Sequence, residues 1–414
     1  MARSRNLLIA LVAFLAFALL PASAQKRFMK GHVMIPKSSM AQPSDAAKVF
    51  HTNIQVFMPE SGRPLVGPPF PGYGFETPAS LGCVYGLTRK TRGCNPNVAI
   101  ANPTGGKGAI AIVDAFDDPN AAADLAFFSA QFGLAPAKFK VVYATGTQPA
   151  LDPTGGWELE ESLDIEWAHA MAPKAKIFLV EAATNEGDDL FVAEQVASSL
   201  VAAAGGGEVS NSWGGDESAD EVTADPLFVM PGVVFFASTG DAPGTSYPST
   251  SPNVVAAGGT TTARSPYTGD FLYELPWTEA GGGASEFEPR PHYQNGIART
   301  VGDARGVPDV SFDSNPDTGV WVWDSNLFQG AAGGWFVVGG TSVASPSLAG
   351  IVNSAEHLYH SSDAELSVMY SNAKNPFEFN DVQFGFCGPY AGFLAERGWD
   401  FCSGIGSVNG KQGK

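Results

Sequence analysis

A serine that follows two glycines is the first candidate for chemistry in this sequence. Residues 339–346 read GGTSVASP, and an apolar helix is predicted to begin there. A serine at a helix N-terminus lies in a positive local field that favours developing negative charge, a position that nucleophilic serines use. Ser342 is therefore a candidate nucleophile, although Thr341 or Ser342 acting only as a helix cap is typical of the same pattern.

Two carboxyl groups four residues apart are the second candidate. Glu160 and Asp164 lie in the predicted helix 157–171, and their spacing places both on one otherwise apolar face. Like charges at this spacing repel unless one group holds a proton, so a partly buried pair can work as an acid and a base. Glu161 competes with Glu160 but lies on another stripe with Ile165. A solvated acidic face is the alternative interpretation.

An acid that follows an apolar strand is the third candidate. Asp241 comes directly after the run VVFFASTG of residues 233–240. Ligands of open α/β sheets bind at the carboxyl ends of the strands, which is where Asp241 is predicted to lie. On its own, the same Gly-Asp pair is equally typical of a turn.

The elements that must position these residues alternate between strands and helices. The predicted strands are 109–114, 139–144, 176–181, 208–213, 232–238 and 251–258. The predicted helices are 120–132, 157–171 and 190–204. This alternation predicts an α/β fold with a mostly parallel sheet and helices on both faces. Residues 263–335, rich in Gly, Pro and aromatic residues, are predicted to form surface loops of the same domain.

The N-terminus has the three parts of a secretory signal peptide. Basic residues precede an unbroken apolar run, which ends at the small-residue site Ala22-Ser23-Ala24. We assign residues 1–24 to the signal, 25–76 to a short Pro/Gly-rich leader or prosegment, and 77–414 to one domain. A membrane anchor is the alternative, but the run is short for a bilayer span. A secreted or periplasmic protein is expected.

Charge and cysteine content restrict the partners and the compartment. With 24 Lys+Arg against 42 Asp+Glu, the net charge of −18 repels nucleic acid and anionic membranes. We expect neither as a partner, and we expect a monomer. Four cysteines in an exported chain predict two disulfides. We favour Cys83–Cys94 and Cys387–Cys402, because each pair closes a short loop that contains glycine; free buried thiols are the alternative.

Five motifs together resemble those of the sedolisin family of serine-carboxyl peptidases. They are GGTSVASP, E-x-x-L-D followed by AHAMAPKA, VSNSWGG, STGD followed by YPSTSPNVVAAGGT, and PDVSFDSNPDTGV. The resemblance covers about residues 77–410 and implies a subtilisin-like fold that hydrolyses peptide bonds with a Ser-Glu-Asp triad. It implies these roles on this chain: Ser342 as nucleophile, Glu160 as general base, Asp164 as its support, and Asp241 in the oxyanion hole.

The resemblance also implies a substrate strand and one calcium ion. Residues 212–214 resemble the strand that pairs with the substrate backbone, namely Ser212, Trp213 and Gly214. Oxygen ligands suit calcium, and the implied set comprises the carboxylates of Asp381 and Asp400 and the backbone carbonyls of Val382, Glu396 and Gly398. Two departures stand out, because Glu396 replaces the family's usual glycine and the leader is much shorter than the prosegment of many members.

Carboxyl chemistry of this kind requires acid. Glu160 as a base has an ordinary pKa of about 4.3, whereas Asp241 must be protonated to donate a hydrogen bond to an oxyanion. An ionised Asp241 would repel the developing charge. We therefore expect an acidic pH optimum for the cleavage of protein or peptide substrates.

Two alternatives to this interpretation are open. Asp114, His169 and Ser342 occur in the chain order of a subtilisin-like triad. His169 nevertheless lies in the latter half of its predicted helix and lacks the expected surrounding glycines, so we expect it to be a helix residue without a catalytic role. The other alternative is an inactive, calcium-stabilised binding protein of the same fold.

Overall fold

The computed structural model describes residues 31–42, 45, 48–60, 75–388 and 392–411. The predicted signal peptide, residues 1–24, and residues 61–74 of the predicted leader lie outside the described residues. None of the described helices combines the length and apolar character that crossing a membrane requires.

The described chain contains seven α-helices and twenty strands, numbered here in chain order. The helices are α1 Pro78–Val84, α2 Ala121–Phe132, α3 Gly156–Met171, α4 Gly187–Ala203, α5 Ala298–Val301, α6 Thr341–Ser354 and α7 Ser362–Asn372. The strands before residue 250 are β1 Gly31–Met34, β2 His51–Thr52, β3 Gln55–Pro59, β4 Ala109–Ala115, β5 Lys138–Tyr143, β6 Lys176–Ala182, β7 Gly207–Asn211, β8 Trp213–Gly214 and β9 Val233–Ser238. The later strands are β10 Val254–Arg264, β11 Phe271–Pro276, β12 Gly283–Pro289, β13 Ala304–Val307, β14 Val310–Asp313, β15 Val320–Asp324, β16 Gly334–Gly339, β17 Phe379–Asn380, β18 Phe386–Cys387, β19 Phe393–Leu394 and β20 Ser407–Val408.

A ten-stranded sheet forms the centre of the molecule. Its order is β17-β20-β14-β10-β9-β7-β4-β6-β5, with β11 added beside β10. The pairs from β14 to β5 are all parallel, whereas β11 and β17 pair antiparallel with their neighbours. The predicted α/β class with a mostly parallel sheet is confirmed.

Helices cover both faces of this sheet, as the sequence predicts. Alternate residues of a strand point to opposite faces. In β4, Ile110 and Ile112 join the core that contains α3 and α6, while Ala111 and Val113 join the core that contains α4. All four side chains are fully buried, which explains why β4 is apolar throughout instead of alternating.

The prediction of surface loops over residues 263–335 is wrong. This region contains β11 to β15 and part of β10 and β16, and several of its side chains lie in the core, among them Phe312 and Trp321. Its glycines and prolines separate short strands, and its aromatic residues fill the core beside them. Both favoured disulfides, Cys83–Cys94 and Cys387–Cys402, are confirmed.

Part of the predicted leader is built into this fold. Strands β1 and β3 join β16 and β15 in a four-stranded antiparallel sheet, in the order β1-β3-β16-β15. Strand β2 pairs with β8. Ile54 and Val56 are fully buried, so this segment contributes to the same hydrophobic core as the rest of the chain.

Many carboxyl groups are buried without a cation beside them. Among the described residues, the buried ion pairs are Glu76–Arg264 and Asp309–Arg305. Glu194 on α4 is fully buried, outside any ion pair found in the described chain. Burial raises its pKa from the ordinary 4.5 to about 8, and Asn211 acts in the opposite direction. Such groups keep their protons in the folded state well above the pH at which they lose them when unfolded.

We predict that Glu194→Gln stabilises the fold at neutral pH and not in acid. The folded pKa of Glu194 lies above the unfolded one, so its contribution is fully present below about pH 4.5 and falls as the pH rises towards 8. Glutamine removes this loss, which is worth up to several kcal/mol at about 1.4 kcal/mol per pKa unit. Urea unfolding at pH 4 and pH 8 measures the effect, with exposed Glu286→Gln as the control. An equal effect of Glu194→Gln at both pH values would contradict this explanation.

Candidate active site

Ser342 lies in the first turn of α6, where the sequence places it. Gly340 precedes the helix with a φ of 107°, a conformation that glycine adopts and other residues avoid. A side-chain carbon at Gly340 would also collide with Asn53 O and Asp241 Oδ2. Ser342 is fully buried, and its Oγ donates a hydrogen bond to Ser212 O over 3.1 Å. Glycine at this turn therefore lets two polar groups, Asn53 O and Asp241 Oδ2, approach the start of the helix.

The carboxyl pair lies on the face of α3 that packs against α6. Glu160 and Asp164 are both fully buried, and their four oxygens have no hydrogen-bond partner among the described residues. Burial, followed by the charges of Asp164 and Asp114, raises the pKa of Glu160, while the nearby Ser342 hydroxyl acts in the opposite direction. Burial also raises the pKa of Asp164. The pair therefore retains protons to a higher pH than exposed acids do.

Two further acids extend this pair along the sheet edge. Asp114 ends β4, and its register partner on β6 is Glu181. Burial, then Asp164 and Glu181, raises the pKa of Asp114. Burial raises the pKa of Glu161, and the charge of Glu181 is the next largest cause. Glu161 thus belongs to the cluster behind the pair, and Glu160 is the one beside Ser342.

Glu181 is a member of the cluster that is not among the predicted site residues. The available signal is that the predicted strands 109–114 and 176–181 each end in an acid, and adjacent parallel strands bring such ends together.

Asp241 lies on the other side of the α6 N-terminus. Its Oδ1 accepts hydrogen bonds from Thr341 N over 2.7 Å and from Thr341 Oγ1 over 3.0 Å. Its Oδ2 is buried and has no hydrogen-bond partner in the described chain. Burial raises the pKa of Asp241 to about 8, although both Thr341 groups lower it. A protonated Oδ2 is thus a hydrogen-bond donor aimed at the space above Gly340.

The predicted substrate strand also lies beside Ser342. Trp213 and Gly214 form β8, and Ser212 directly precedes it. Its partner is β2 of the leader, with Thr52 opposite Trp213 and His51 opposite Gly214. The strand implied to bind substrate backbone is therefore hydrogen-bonded to the chain's own N-terminal segment.

The histidine of the competing triad points elsewhere. His169 lies five residues after Asp164 on α3, about 140° around the helix axis. Its Nε2 lies 2.8 Å from the carbonyl oxygen of Ala135, and burial lowers its pKa. Asp114 lies with the carboxyl cluster instead. The structure therefore does not bring Asp114, His169 and Ser342 together as a triad.

The residues of the implied calcium site share one small region near the C-terminus. Asp381 Oδ2 accepts hydrogen bonds from Gly398 N and Gln383 Nε2, both over 3.0 Å, and Asp381 Oδ1 is buried without a hydrogen-bond partner among the described residues. Asp400 Oδ2 accepts one from Glu396 N over 3.0 Å. Burial raises the pKa of Asp400 to about 6. A buried carboxylate oxygen without a hydrogen-bond partner, such as Asp381 Oδ1, fits a hard cation.

This donor set relies on few acidic side chains. No group of three His, Cys, Asp or Glu side chains within the described ranges has a metal-binding arrangement. The implied site uses two carboxylates and three backbone carbonyls, of which that of Val382 lies next to Asp381 in the chain. The described residues therefore fit the implied donor set, in which backbone carbonyls outnumber the carboxylates.

Comparison with known proteins gives two related sequences. Sedolisin of Pseudomonas sp. (strain 101) is 33% identical over 181 residues, which are 40% of this chain and 29% of that protein. Kumamolisin of Bacillus sp. (strain MN-32) is 29% identical over 320 residues, 69% of this chain and 56% of that protein. The matches thus span at most about half of the relatives' own lengths. No protein-family model matches the chain.

The fold is also shared with solved structures. Pseudomonas sedolisin, a serine-carboxyl proteinase complexed with two molecules of pseudo-iodotyrostatin, has a TM-score of 0.64 at 23% identity, covering 81% of this chain and 95% of that one. Sphericase has a TM-score of 0.53 at 18% identity, covering 81% and 99%. The sequence relatives and the shared architecture lead to the same group of proteins: the chain is similar in sequence to sedolisin and kumamolisin and shares the fold of sedolisin.

Proposed function

We propose that this protein is a secreted serine-carboxyl peptidase that cleaves protein or peptide substrates in acid. One observation carries the proposal: the buried Ser342 stands at a helix N-terminus between the Glu160–Asp164 pair and Asp241. A nucleophile, a base and an oxyanion donor are the three groups that acyl transfer needs. The relatives sedolisin and kumamolisin support the same reaction.

The proposed reaction begins at the hydroxyl of Ser342. Glu160 accepts the hydroxyl proton as Oγ attacks the scissile carbonyl carbon, and Asp164 shares a proton with Glu160 so that the pair carries a single negative charge. In the present structure Oγ donates to Ser212 O instead, so the side chain must rotate towards Glu160. The protonated Glu160 then delivers its proton to the leaving amine, and water releases the acyl group by the reverse path.

Asp241 sets the upper pH limit of the proposed activity. Its Oδ2 must carry a proton to donate to the oxyanion, together with the backbone N–H of Ser342. Burial, which raises the pKa of Asp241 to about 8, supports this role. Ionisation of Asp241 would place a negative charge beside the developing one, so activity falls as the pH rises through that pKa.

Calcium is the proposed cofactor. Asp381 and Asp400 would hold one Ca²⁺ with the carbonyls of Val382, Glu396 and Gly398, and the ion would neutralise two carboxylates that share one small region. Its contribution would be structural, because it would cross-link residues 381–382 to the loop that the Cys387–Cys402 disulfide closes. We propose secretion because of the N-terminal sequence, and a monomeric state because of the net charge.

The nucleophile is tested by Ser342→Ala. The substitution removes the attacking oxygen from the first turn of α6, and we expect casein cleavage at acidic pH to fall by about a thousandfold or more. Ser354→Ala, at the other end of the same helix, is the matched control and should leave the rate unchanged. Circular dichroism checks that both variants fold. Near wild-type cleavage by folded Ser342→Ala would rule out this nucleophile. If the protein is instead an inactive binding protein, the wild type will neither cleave casein nor be labelled by a fluorophosphonate.

The cation site is tested by thermal melting with calcium and with a chelator. Since a ligand that binds only the folded state stabilises it, we expect calcium to raise the Tm by about 5 °C or more. Asp381→Asn should abolish the calcium response, while exposed Asp303→Asn should retain it. If neither calcium nor the chelator changes the Tm of the wild-type protein, the proposed calcium site is wrong.

A further inference from the structure

The N-terminal leader passes through the candidate active site as an extended strand. Asn53 N donates to Ser212 O over 3.2 Å, and His51 lies opposite Gly214 in the antiparallel pairing of β2 with β8. The carbonyl oxygen of Asn53 accepts from Ser342 N over 3.1 Å. The leader's backbone is thus held on one side by the implied substrate strand and on the other by the nucleophile's own amide.

This register selects one peptide bond. The backbone N–H of a nucleophilic serine at a helix N-terminus is an oxyanion donor, and the oxygen that it binds here is that of Asn53. Asp241 Oδ2 and Asn53 O also converge on Gly340, where a side-chain carbon would strike both atoms and Ile54 Cα. The Asn53–Ile54 bond is therefore placed where a substrate's scissile bond would lie.

We propose that the site cleaves the Asn53–Ile54 bond of its own chain. We also propose that it selects substrates with asparagine immediately before the bond that is cut. This inference rests on the proposed peptidase activity and assigns its substrate class. The two claims concern different residues, since cleavage depends on the groups around Ser342, whereas selection depends on the pocket that receives the Asn53 side chain.

The asparagine pocket is formed by the end of β9. Asn53 Nδ2 donates to Ser238 Oγ over 2.7 Å, and Ser238 is fully buried. The hydroxyl of Ser238 in turn donates to Asn211 O over 3.5 Å, which leaves its lone pairs for the amide. Gly214 packs against the same side chain, because an added carbon there would lie 3.5 Å from Asn53 Nδ2. Leucine is close to asparagine in size but has no N–H to donate to Ser238 Oγ.

A second pocket fixes the register three residues earlier. Phe50 is buried, and its ring packs edge-on against Trp213 with centroids 5.0 Å apart and against Phe191 with centroids 5.9 Å apart. Its backbone exchanges two hydrogen bonds with Asn185, from Phe50 N to Asn185 O over 3.0 Å and from Asn185 Nδ2 to Phe50 O over 2.8 Å. A one-residue slip would remove Phe50 and Asn53 from their pockets together.

The residues after the bond are held as firmly. Strand β3 begins at Gln55 and pairs with β16, so that Gln55 lies opposite Gly339. Gln55 Nε2 donates to Glu279 Oε2 over 2.7 Å, and Ser39 Oγ donates to Ile54 O over 3.0 Å. Both sides of the Asn53–Ile54 bond are therefore anchored, which is the condition for efficient attack within one molecule.

The proposed self-cleavage uses one water molecule. Ser342 Oγ forms a bond with the carbonyl carbon of Asn53, and the bond from that carbon to the nitrogen of Ile54 breaks. The hydroxyl proton passes through Glu160 to the nitrogen, so that Ile54 leaves as a free amine. Water then cleaves the ester, which restores the Ser342 hydroxyl and leaves Asn53 with a free carboxyl group.

The test follows the full-length chain and a set of peptides at acidic pH. Mass spectrometry and N-terminal sequencing of the incubated chain should find a new N-terminus at Ile54 in the wild type and an intact chain in Ser342→Ala. Asn53→Leu should slow this cut at least about tenfold, and Asn97→Leu, at an exposed site, should not. The peptide Phe-His-Thr-Asn-Ile-Gln should likewise exceed its counterparts with leucine or phenylalanine in place of asparagine at least about tenfold in kcat/KM.

The pocket is tested on the enzyme with Ser238→Ala. This variant should lose roughly threefold to tenfold in kcat/KM on the asparagine peptide and little on the counterpart with alanine at that position, while exposed Ser371→Ala changes neither. The peptide series on the wild-type enzyme decides the matter if Ser238→Ala does not fold. Casein cleavage without a cut at Ile54 and without preference for asparagine overturns this inference alone. Failure to cleave casein, peptide or chain overturns the proposed peptidase itself.

Discussion

The rest of the site depends on one constraint: the carboxyl groups around Ser342 are buried and no described cation neutralises them. Four of these groups form a row along the sheet edge: Glu160, Asp164, Asp114 and Glu181. Burial is the largest cause of the raised pKa of each one. Several ionised carboxylates cannot share such a volume, because desolvation and mutual repulsion both oppose it. The cluster must hold protons, and a cluster that holds protons can move one between a serine and a leaving amine.

The parallel sheet creates this constraint by its geometry. Asp114, Glu181, Ser212 and Asp241 all lie at or just after the carboxyl ends of neighbouring strands, and α3 and α6 bring Glu160 and Ser342 to the same edge. The leader then closes the edge from outside through β2 and β3. Closure places a peptide carbonyl against the Ser342 amide, so the leader strand occupies the site.

The sequence predicts what is local and misses what is distant. The α3 pair and the Ser342 turn follow from helical spacing and a glycine pair, and the disulfides follow from short loops. The leader strand does not, because its partners β8 and β16 are more than 150 residues away, and no periodicity records such pairing. Ser238 could not be predicted either, because only its contact with the distant Asn53 distinguishes it from other serines at strand ends. Residues 263–335 mislead because their strands are short and separated by glycine and proline.

The pH dependence of kcat/KM on a peptide substrate, for the wild type and for Asp241→Asn, tests the proton-holding site most directly. The account predicts wild-type activity that is high in acid and lost as the pH rises towards the Asp241 pKa of about 8. Asparagine keeps a donor at every pH, so the residual activity of Asp241→Asn should lack the loss that Asp241 ionisation causes. A wild-type profile that climbs from about pH 5 to about pH 8 would indicate a histidine base and would contradict the account.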